Sequence, residues 1–172
     1  DLDEVYVATC DQEIYDYIES IGGKVIMTSN THGRATERVA EALLILEAKH
    51  GGIYENIVMI QGDEPLIYPE MISELLNPMI SENHMISNLI SPLLTQKQIG
   101  NPNNVKVVFA KNMNMLYLTR EPIPSNKIFL GVIDSYRQLG IIAFKSMALK
   151  KFISLGPSRL EIIESIDMKH VE

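Results

Sequence analysis

Two carboxylates stand side by side where an apolar segment of the chain ends. Asp63 and Glu64 directly follow residues 58–62 (VMIQG), a run with strand character that stops at a glycine. Neighbouring residues of an extended chain point in opposite directions, so one carboxylate can face a cleft while the other faces protein or solvent. An aspartate in such a position commonly holds Mg²⁺ together with substrate phosphates. An Asp-Glu-Pro turn that starts a helix is an equally good interpretation of these residues.

A second group of polar side chains lies in residues 32–38 (HGRATER), between a predicted strand and the next predicted helix. Thr36 could cap the amino end of that helix, and Arg34 and Arg38 would lie one turn apart and offer paired donors to an anion. An ordinary helix start with solvated arginines is the alternative. A metal site at His32 is less favoured, because no second His or Cys follows at ligand spacing.

Arg120 follows a predicted strand and precedes prolines at positions 122 and 124, which stiffen the next loop. Its side chain is therefore expected to be held in place, and a structural ion pair with a nearby acid is the commoner use of such an arginine. Farther along the chain, Tyr136, Gln138 and Gly140 precede an apolar strand and could line a sugar pocket.

The elements that would position these residues alternate between strand and helix. Strands are predicted at 5–9, 24–27 and 56–60, and helices at 11–20 and 36–49. This order predicts an α/β fold with a doubly wound sheet, in which 56–60 (NIVMI), apolar on both faces, is a central parallel strand. Ligands of such sheets bind beyond the carboxyl ends of the strands, where residues 61–65 fall.

The second half of the chain follows a different order. A helix is predicted from Pro69 to Ile80, and strands at 105–109, 115–118 and 139–144, with residues 126–135 as a loop or partly disordered segment. A last helix is predicted over 158–170, with Ser158 as its N-cap and Glu161 completing a capping box. A length of 172 residues predicts a single domain.

Composition narrows the class of protein. The formal net charge is −7 without a cluster of basic residues, which argues against a nucleic-acid partner, because such binding depends on phosphate neutralisation. No apolar stretch approaches the roughly 20 residues that cross a bilayer, so no membrane insertion is expected. The single cysteine, Cys10, is expected to pack in the interior and fits a reducing compartment. We therefore expect a cytoplasmic protein.

Several segments taken together resemble the CMP-KDO synthetases (3-deoxy-manno-octulosonate cytidylyltransferases). The most specific are QGDEP at 61–65 and PSRLEIIESIDM at 157–168. Further matching residues, in the family's order, are 7–9 with 11, 27–29, 32 with 36–41, 101–103 with 105–108, 117 with 120 and 122–124, and 140–141 with 143–144. The resemblance implies an α/β fold with a doubly wound mixed sheet, like that of the nucleotide-diphospho-sugar transferases.

The same resemblance implies an activity and a set of site residues. The family transfers a cytidylyl group from CTP to KDO or a related 2-keto-3-deoxy acid sugar, releases pyrophosphate, needs Mg²⁺, serves lipopolysaccharide biosynthesis and commonly forms homodimers. Asp63 corresponds to the Mg²⁺ ligand and, with Arg120, to the catalytic residues. Residues 101–145 correspond to a strand-rich region for sugar binding and dimerisation within one truncated domain, 1–172. The positions that correspond to substrate or nucleotide binding are Thr36, Arg38, Gln61, Gly62, Gln138, Glu161 and Asp167.

Some positions depart from the family pattern. Gln138 and Ile142 stand where His and Tyr are frequent, and Asp167-Met168 stands where Glu-Gln is frequent. An 8-amino-KDO or sialic-type acid sugar is therefore an open alternative, as is a catalytically inactive domain that binds sugar nucleotides. The family's basic phosphate loop and its late Gly-Val-Asp-Thr metal segment have no counterpart in the chain. We expect the 172-residue chain alone, as a fragment, to have little or no transferase activity.

Overall fold

The computed structural model describes residues 2–125 and 134–167, and these residues form a mixed α/β fold. The strands are β1 (Val7–Thr9), β2 (Val25–Met27), β3 (Asn56–Ile60), β4 (Ile86–Leu93), β5 (Lys106–Phe109), β6 (Met115–Thr119) and β7 (Ser135–Lys145). The helices are α1 (Gln12–Ser20), α2 (Ala35–His50), α3 (Pro69–Ser81), α4 (Gln96–Ile99), α5 (Ser146–Leu155) and α6 (Arg159–Glu164).

The first part of the fold follows the alternation that the sequence predicts. β1 and β2 form a parallel pair, with Val7 opposite Val25. Asp11 caps α1, because its carboxylate accepts hydrogen bonds from the first free N–H groups of the helix. Gly22 and Gly51, with φ of 76° and 67°, follow α1 and α2 in the left-handed conformation that glycine adopts without steric cost.

The main sheet is antiparallel, and this corrects one prediction. Its order is β3-β7-β5-β6, with β4 also paired to β7. The expectation that residues 56–60 form a central parallel strand is wrong, since β3 lies antiparallel to β7, with Asn56 opposite Lys145. A local apolar run does not reveal a partner that follows so much later in the chain. The described strands therefore form two sheets, the parallel pair of β1 and β2 and a separate antiparallel sheet of five strands.

β3 and β5 share one edge of β7, and β4 pairs with the other edge. Ile142 of β7 lies opposite Met59 of β3 and also opposite Asn88 of β4, so β3 and β4 must pair with opposite edges of β7. Arg137 pairs with both β4 and β5, so these two strands also lie on opposite edges of β7. β4 therefore covers one edge along its length, while β3 and β5 follow one another along the other edge.

Among the described strands, none pairs regularly with the middle of β7 on that edge, at the junction between β3 and β5. The Gln61 N–H donates to the Gly140 carbonyl (2.8 Å) at the end of β3, and the Gln138 N–H donates to the Val105 carbonyl (2.9 Å) before β5. We call this junction, from Gln61 and Gly140 to Val105 and Gln138, the seam. It brings the carboxyl end of β3 to the middle of the sheet.

Side chains of β7 alternate between two hydrophobic cores, one on each face of the sheet. Ile142 and Phe144 belong to the core that α2 and α5 cover. Leu139, Ile141 and Ala143 pack against α3, whose buried residues are Leu75 and Met79. Both faces of β7 are thus covered, which fixes the strand that carries the seam.

Several elements differ from the predictions. The sequence did not predict β4, α4 or α5. The last helix is shorter than expected, because α6 ends at Glu164 and Ser165 takes a left-handed conformation with φ of 51°. Ser158 caps α6 as predicted, since its Oγ accepts a hydrogen bond from the Glu161 N–H (3.1 Å). The predicted loop at 126–135 lies outside the described residues except for 134 and 135, as does the predicted helix beyond residue 167.

Cys10 is exposed at the end of β1, so the expectation that it packs in the interior is wrong. Its neighbours explain this position, because Thr9 is the buried residue at the end of β1 and the chain then turns outward to Asp11 and the first turn of α1. No helix in the described ranges is long and apolar enough to span a membrane.

Candidate active site

A cleft of about 810 Å³ opens at the seam. The turn after β3, the middle of β7, the end of β6 and the segment after α6 all contribute to its walls. These elements meet because β3 ends and β5 begins on the same edge of β7. Among the residues that line the cleft are Gln61, Asp63, Glu64, Arg120, Gln138, Gly140 and Asp167.

The two carboxylates at the end of β3 have different environments. The Glu64 Oε1 accepts a hydrogen bond from the Gly140 N–H (2.8 Å), the main-chain group that the seam leaves without a strand partner. Asp63 is exposed and lines the cleft. One carboxylate thus completes the sheet, and its neighbour is available to a ligand.

Gly140 is the position that lets the turn after β3 approach β7. A Cβ at this position would lie 2.9 Å from the Gln61 Oε1 and 3.0 Å from the Glu64 Cγ. Both distances are shorter than ordinary van der Waals contacts, so a side chain here would require the Gln61 and Glu64 side chains to shift. The absence of a side chain at Gly140 therefore sets the position of Asp63 indirectly.

The opposite edge of β7 is irregular at the same level. The register between β4 and β7 shifts between Asn88 and Ile90, as in a β-bulge. The Asn88 Nδ2 donates to the carbonyls of Leu139 (2.9 Å) and Ile141 (2.8 Å) and so satisfies acceptors beside the bulge. Bulges are frequent beside active sites, where they re-aim side chains. Side chains thus hold the middle of β7 from both edges.

Arg120 joins three segments around the cleft. Its Nε donates to the Glu164 carbonyl (2.8 Å), and its terminal nitrogens donate to the carbonyls of Pro102 (2.9 Å) and Ser165 (2.8 Å). The side chain is held in place as predicted, and main-chain carbonyls take these three bonds rather than an acid. Arg120 therefore fixes the end of α6 and the loop before β5 relative to β6.

Lys106 supports Arg120 from the interior. Its side chain is fully buried, and its Nζ donates to the carbonyls of Asn101 (3.1 Å) and Arg120. Burial lowers the pKa of the Lys106 ammonium, because removal from water disfavours the charged form. Two carbonyl acceptors compensate for part of this cost, so Lys106 is a structural cation behind the cleft.

The start of α2 connects to the segment after α6. The Thr36 Oγ1 lies 2.9 Å from both carboxylate oxygens of Asp167, and the Thr36 N–H donates to Asp167 (3.3 Å). The predicted N-cap role of Thr36 is wrong, because α2 begins at Ala35 and Arg34 is its N-cap. Thr36 is buried and orients Asp167, which lines the cleft.

The two arginines of this region do not form the predicted pair of anion donors. Arg34 lines the cleft, and its Nε lies 3.5 Å from the buried Glu161 carboxylate. Arg38 points elsewhere and donates to the Thr28 Oγ1 (2.6 Å) and the Ser29 carbonyl (3.2 Å). Arg38 therefore fixes the end of β2 rather than lining the cleft.

Carboxylates of α2 hold the loop that leads to Arg34. The Glu41 Oε2 accepts from the Ser29 N–H (2.8 Å) and lies 2.5 Å from the His32 Nε2. The hydrogen bond from the Ser29 backbone, followed by that from His32, lowers the pKa of the Glu41 carboxyl. Glu37 accepts from the Gly33 N–H (2.9 Å). His32 thus has a structural contact in this loop.

Comparison with known proteins decides the family. The cytidylyltransferase family model matches residues 1–171. The chain belongs to the cytidylyltransferase family. It is 43% identical over 173 aligned residues to a 3-deoxy-manno-octulosonate cytidylyltransferase of Thermodesulfovibrio yellowstonii, and the alignment covers 96% of the chain and 68% of that relative. It is 38% identical to the protein of that name from Francisella tularensis subsp. holarctica, covering 99% of the chain and 69% of the relative.

A solved structure supports the same assignment. The fold is similar to that of a CMP:2-keto-3-deoxy-manno-octonic acid synthetase complexed with CTP, with a TM-score of 0.82 and 29% identity. That comparison covers 96% of the chain and 66% of the solved chain. The cytidylyltransferase chain thus spans about two thirds of the length of the proteins that it matches, and the predicted nucleotide-sugar transferase fold is confirmed.

The cleft of this cytidylyltransferase suits a metal ion that the protein shares with a substrate. The described ranges contain no group of three or more His, Cys, Asp or Glu that could hold a metal. Asp63 lines the cleft, whereas Glu64 is engaged with Gly140. Mg²⁺ usually keeps several waters and takes one or two carboxylates together with substrate phosphates, so a single aspartate fits this mode of binding.

The structure brings five of the predicted site residues of this cytidylyltransferase to one cleft, namely Gln61, Asp63, Arg120, Gln138 and Asp167. Gly62 lies exposed in the same turn. Thr36, Arg38 and Glu161 lie outside the cleft lining. Thr36 and Glu161 contact the lining residues Asp167 and Arg34, whereas Arg38 contacts Thr28 away from the cleft. Sequence reasoning did not identify Arg137, which also lines the cleft, although it lies between Tyr136 and Gln138. The signal that would have found it is its position between two residues already considered for a sugar pocket.

Proposed function

We propose that this protein transfers a cytidylyl group from CTP to KDO or a closely related 2-keto-3-deoxy acid sugar. The products would be a CMP-sugar and pyrophosphate, for lipopolysaccharide biosynthesis. The observation that carries the proposal is the cleft at the seam, where Asp63 stands at the end of β3 beside Gln61 and Gln138. The names of its relatives and of its structural neighbour complexed with CTP support the choice of substrates. A cytoplasmic location is part of the proposal, because the enzyme uses CTP.

The chain would act mainly by positioning its substrates. In the proposed reaction the anomeric hydroxyl of the sugar attacks the α-phosphorus of CTP, and pyrophosphate leaves. Holding two reactants in line and offsetting the developing phosphate charge can supply most of the rate enhancement in such a reaction. The carboxamides of Gln61 and Gln138 can donate to and accept from sugar hydroxyls. Arginines that line the cleft provide positive charge toward the anionic substrates.

Asp63 is the residue that we propose as the Mg²⁺ ligand. When bound, Mg²⁺ would neutralise charge on the phosphate oxygens. The role of the chain is to keep the Asp63 carboxylate exposed in the cleft while Glu64 fixes the turn that carries it. Asp167, held by Thr36, would contribute to the sugar side of the same cleft.

The test is an Asp63→Asn variant in calorimetric titrations with CTP, in the presence and absence of Mg²⁺. We expect wild-type protein to bind CTP more tightly with Mg²⁺, and Asp63→Asn to lose about ten- to a hundredfold of that gain, as for one charged contact. Asp3→Asn is the matched control, because Asp3 is exposed and lies outside the cleft lining. Equal Mg²⁺-dependent affinities of Asp63→Asn and Asp3→Asn would refute the metal assignment.

We also propose that the protein is a homodimer. β6 is the last of the described strands on its side of the sheet and exposes Met115 and Leu116, which a second copy could cover. Sedimentation analysis should then give a particle of twice the 19.4 kDa chain mass. A charge on the exposed strand, as in Leu116→Glu, should shift that particle to the monomer. A monomeric wild-type protein at micromolar concentration would contradict this proposal.

A further inference from the structure

Three arginines line the cleft, and they differ in what they contact. Arg120 donates to three main-chain carbonyls. Arg34 lies near the Glu161 carboxylate and donates to the Glu161 carbonyl (3.4 Å). The Arg137 guanidinium, in contrast, makes no hydrogen bond or ion pair with any residue in ranges 2–125 and 134–167. Within the described part of the chain, Arg137 is therefore the cleft arginine whose guanidinium is not committed to protein groups.

The backbone of Arg137 is firmly placed. The residue lies in β7 and pairs with Ser91 of β4 on one edge and with Lys106 of β5 on the other. Its side chain is half-buried in the cleft wall. A strand residue with neighbours on both edges has little backbone freedom, so ligand binding would have to order only the Arg137 side chain.

The acids around the cleft do not neutralise Arg137. Glu64 is engaged with the Gly140 N–H, and Asp167 is engaged with Thr36. Asp63 and Glu74 also line the cleft, and neither comes within ion-pair distance of the Arg137 guanidinium. A half-buried cation usually has an anionic partner, because burial without one is costly. A protein with a net charge of −7 also needs local positive charge to hold an anionic substrate.

We propose that Arg137 binds an anionic group of a substrate through paired N–H donors. Carboxylate and phosphate both match the fork of the guanidinium, so the ligand is either the carboxylate of the acid sugar or a phosphate of CTP. The inference rests on the proposed function, which supplies these two anions. Arg120 has in this scheme a different role, since it positions the walls of the cleft.

The experiment measures the affinity of the full chain for each substrate by calorimetry, in wild-type protein and in Arg137→Ala and Arg137→Lys. Arg159→Ala is the matched control, because this substitution removes the same charge. Arg159 is exposed and lies outside the cleft lining. KDO and its methyl ester form one pair of ligands, and CTP with Mg²⁺ and cytidine form the other. Within each pair, only the first ligand carries the anion.

We expect Arg137→Ala to weaken binding of one anionic ligand by about ten- to a hundredfold, the loss of one charge-assisted contact. The neutral ligand of that pair should bind equally to wild type and variant. Arg137→Lys should recover only part of the loss, since an ammonium lacks the paired geometry. A loss for KDO but not its ester identifies the carboxylate, and a loss for CTP but not cytidine identifies a phosphate.

Two results would overturn the inference. One is that Arg137→Ala binds KDO and CTP as Arg159→Ala does. The other is that Arg137→Ala weakens anionic and neutral ligands equally, which is the result of a general distortion of the cleft. Thermal unfolding of each variant checks folding, and Arg137→Gln replaces the alanine variant if the latter is unstable. If the wild-type protein binds neither KDO nor CTP, the proposed function itself is refuted. If the wild-type protein binds them and Arg137→Ala binds them equally well, only the role of Arg137 is refuted.

Discussion

Replacement of Glu64 by alanine or by glutamine separates a structural role of this carboxylate from a chemical one. The Glu64 Oε1 accepts a hydrogen bond of 2.8 Å from the Gly140 N–H, at the point where no described strand pairs regularly with that edge of β7. Alanine removes the acceptor and leaves this N–H unpaired. Glutamine keeps an oxygen in the same position but removes the charge.

The expected magnitudes follow from the kind of hydrogen bond that is lost. A hydrogen bond to a charged group contributes about 1.5–3 kcal/mol and a neutral one about 0.5–1.5 kcal/mol to the free energy of unfolding. For a chain of this size, 1 kcal/mol corresponds to about 2–4 °C in Tm. Glu64→Ala should therefore lower Tm by about 3–12 °C, and Glu64→Gln by about 2–6 °C.

Binding of CTP with Mg²⁺ should follow the same order. Glu64→Ala should weaken it, because the turn that carries Asp63 loses its attachment to β7, whereas Glu64→Gln should stay close to wild type. The measurements are thermal unfolding and calorimetric titration, with Glu13→Ala as the control at an exposed position on α1. The reasoning is refuted if both Glu64 variants keep the wild-type Tm and lose CTP binding equally, since the charge would then act on the ligand itself.

Two further predictions concern other parts of the structure. Gly140→Ala places a methyl group 2.9 Å from the Gln61 Oε1. We therefore expect a loss of about 1–3 kcal/mol in the free energy of unfolding and weaker CTP binding. Wild-type values of both quantities would show that the turn accommodates the methyl group at no cost. Glu4 has its pKa lowered from 4.5 to about 2 by hydrogen bonds from Lys24 and then Tyr54. Its contribution to stability should be complete above about pH 4.5 and should disappear as the pH falls toward 2. Unfolding midpoints measured across this range should fall less steeply in Glu4→Gln, and parallel curves for the two proteins would contradict the assignment.

Local patterns in the sequence were sufficient for much of the fold and insufficient for its pairing. The sequence predicts β3 at its observed bounds and α3 to within one residue, because an apolar run ends at Gln61 and Pro69 opens the helix. β4 was not predicted, because Asn88 and Pro92 interrupt its apolar residues. The antiparallel partner of β3 is β7, and no local signal connects segments so distant in the chain.

The candidate site shows the same division. The position of Asp63 follows from local reasoning, because a strand end delivers the residues that come directly after it to the edge of a sheet. Thr36 and Arg38 were expected to contact ligands, and in the structure their side chains contact Asp167 and Thr28. Some arginines of the cleft are engaged by carbonyls of segments that are distant in the sequence. Arg120, for example, donates to the Ser165 carbonyl. Such contacts exist only after the chain has folded.

The seam has a consequence for motion. One unbroken strand, β7, carries both β3 and β5 on the same edge, with Gly140 facing the end of the first and Gln138 facing the approach to the second. These two positions of β7 are separated by about 7 Å, the rise of two strand residues. A hinge between the two sides would have to bend a strand that is packed on both faces. Capture of substrates should therefore depend on side chains and loops, with little change in the distance between the two walls.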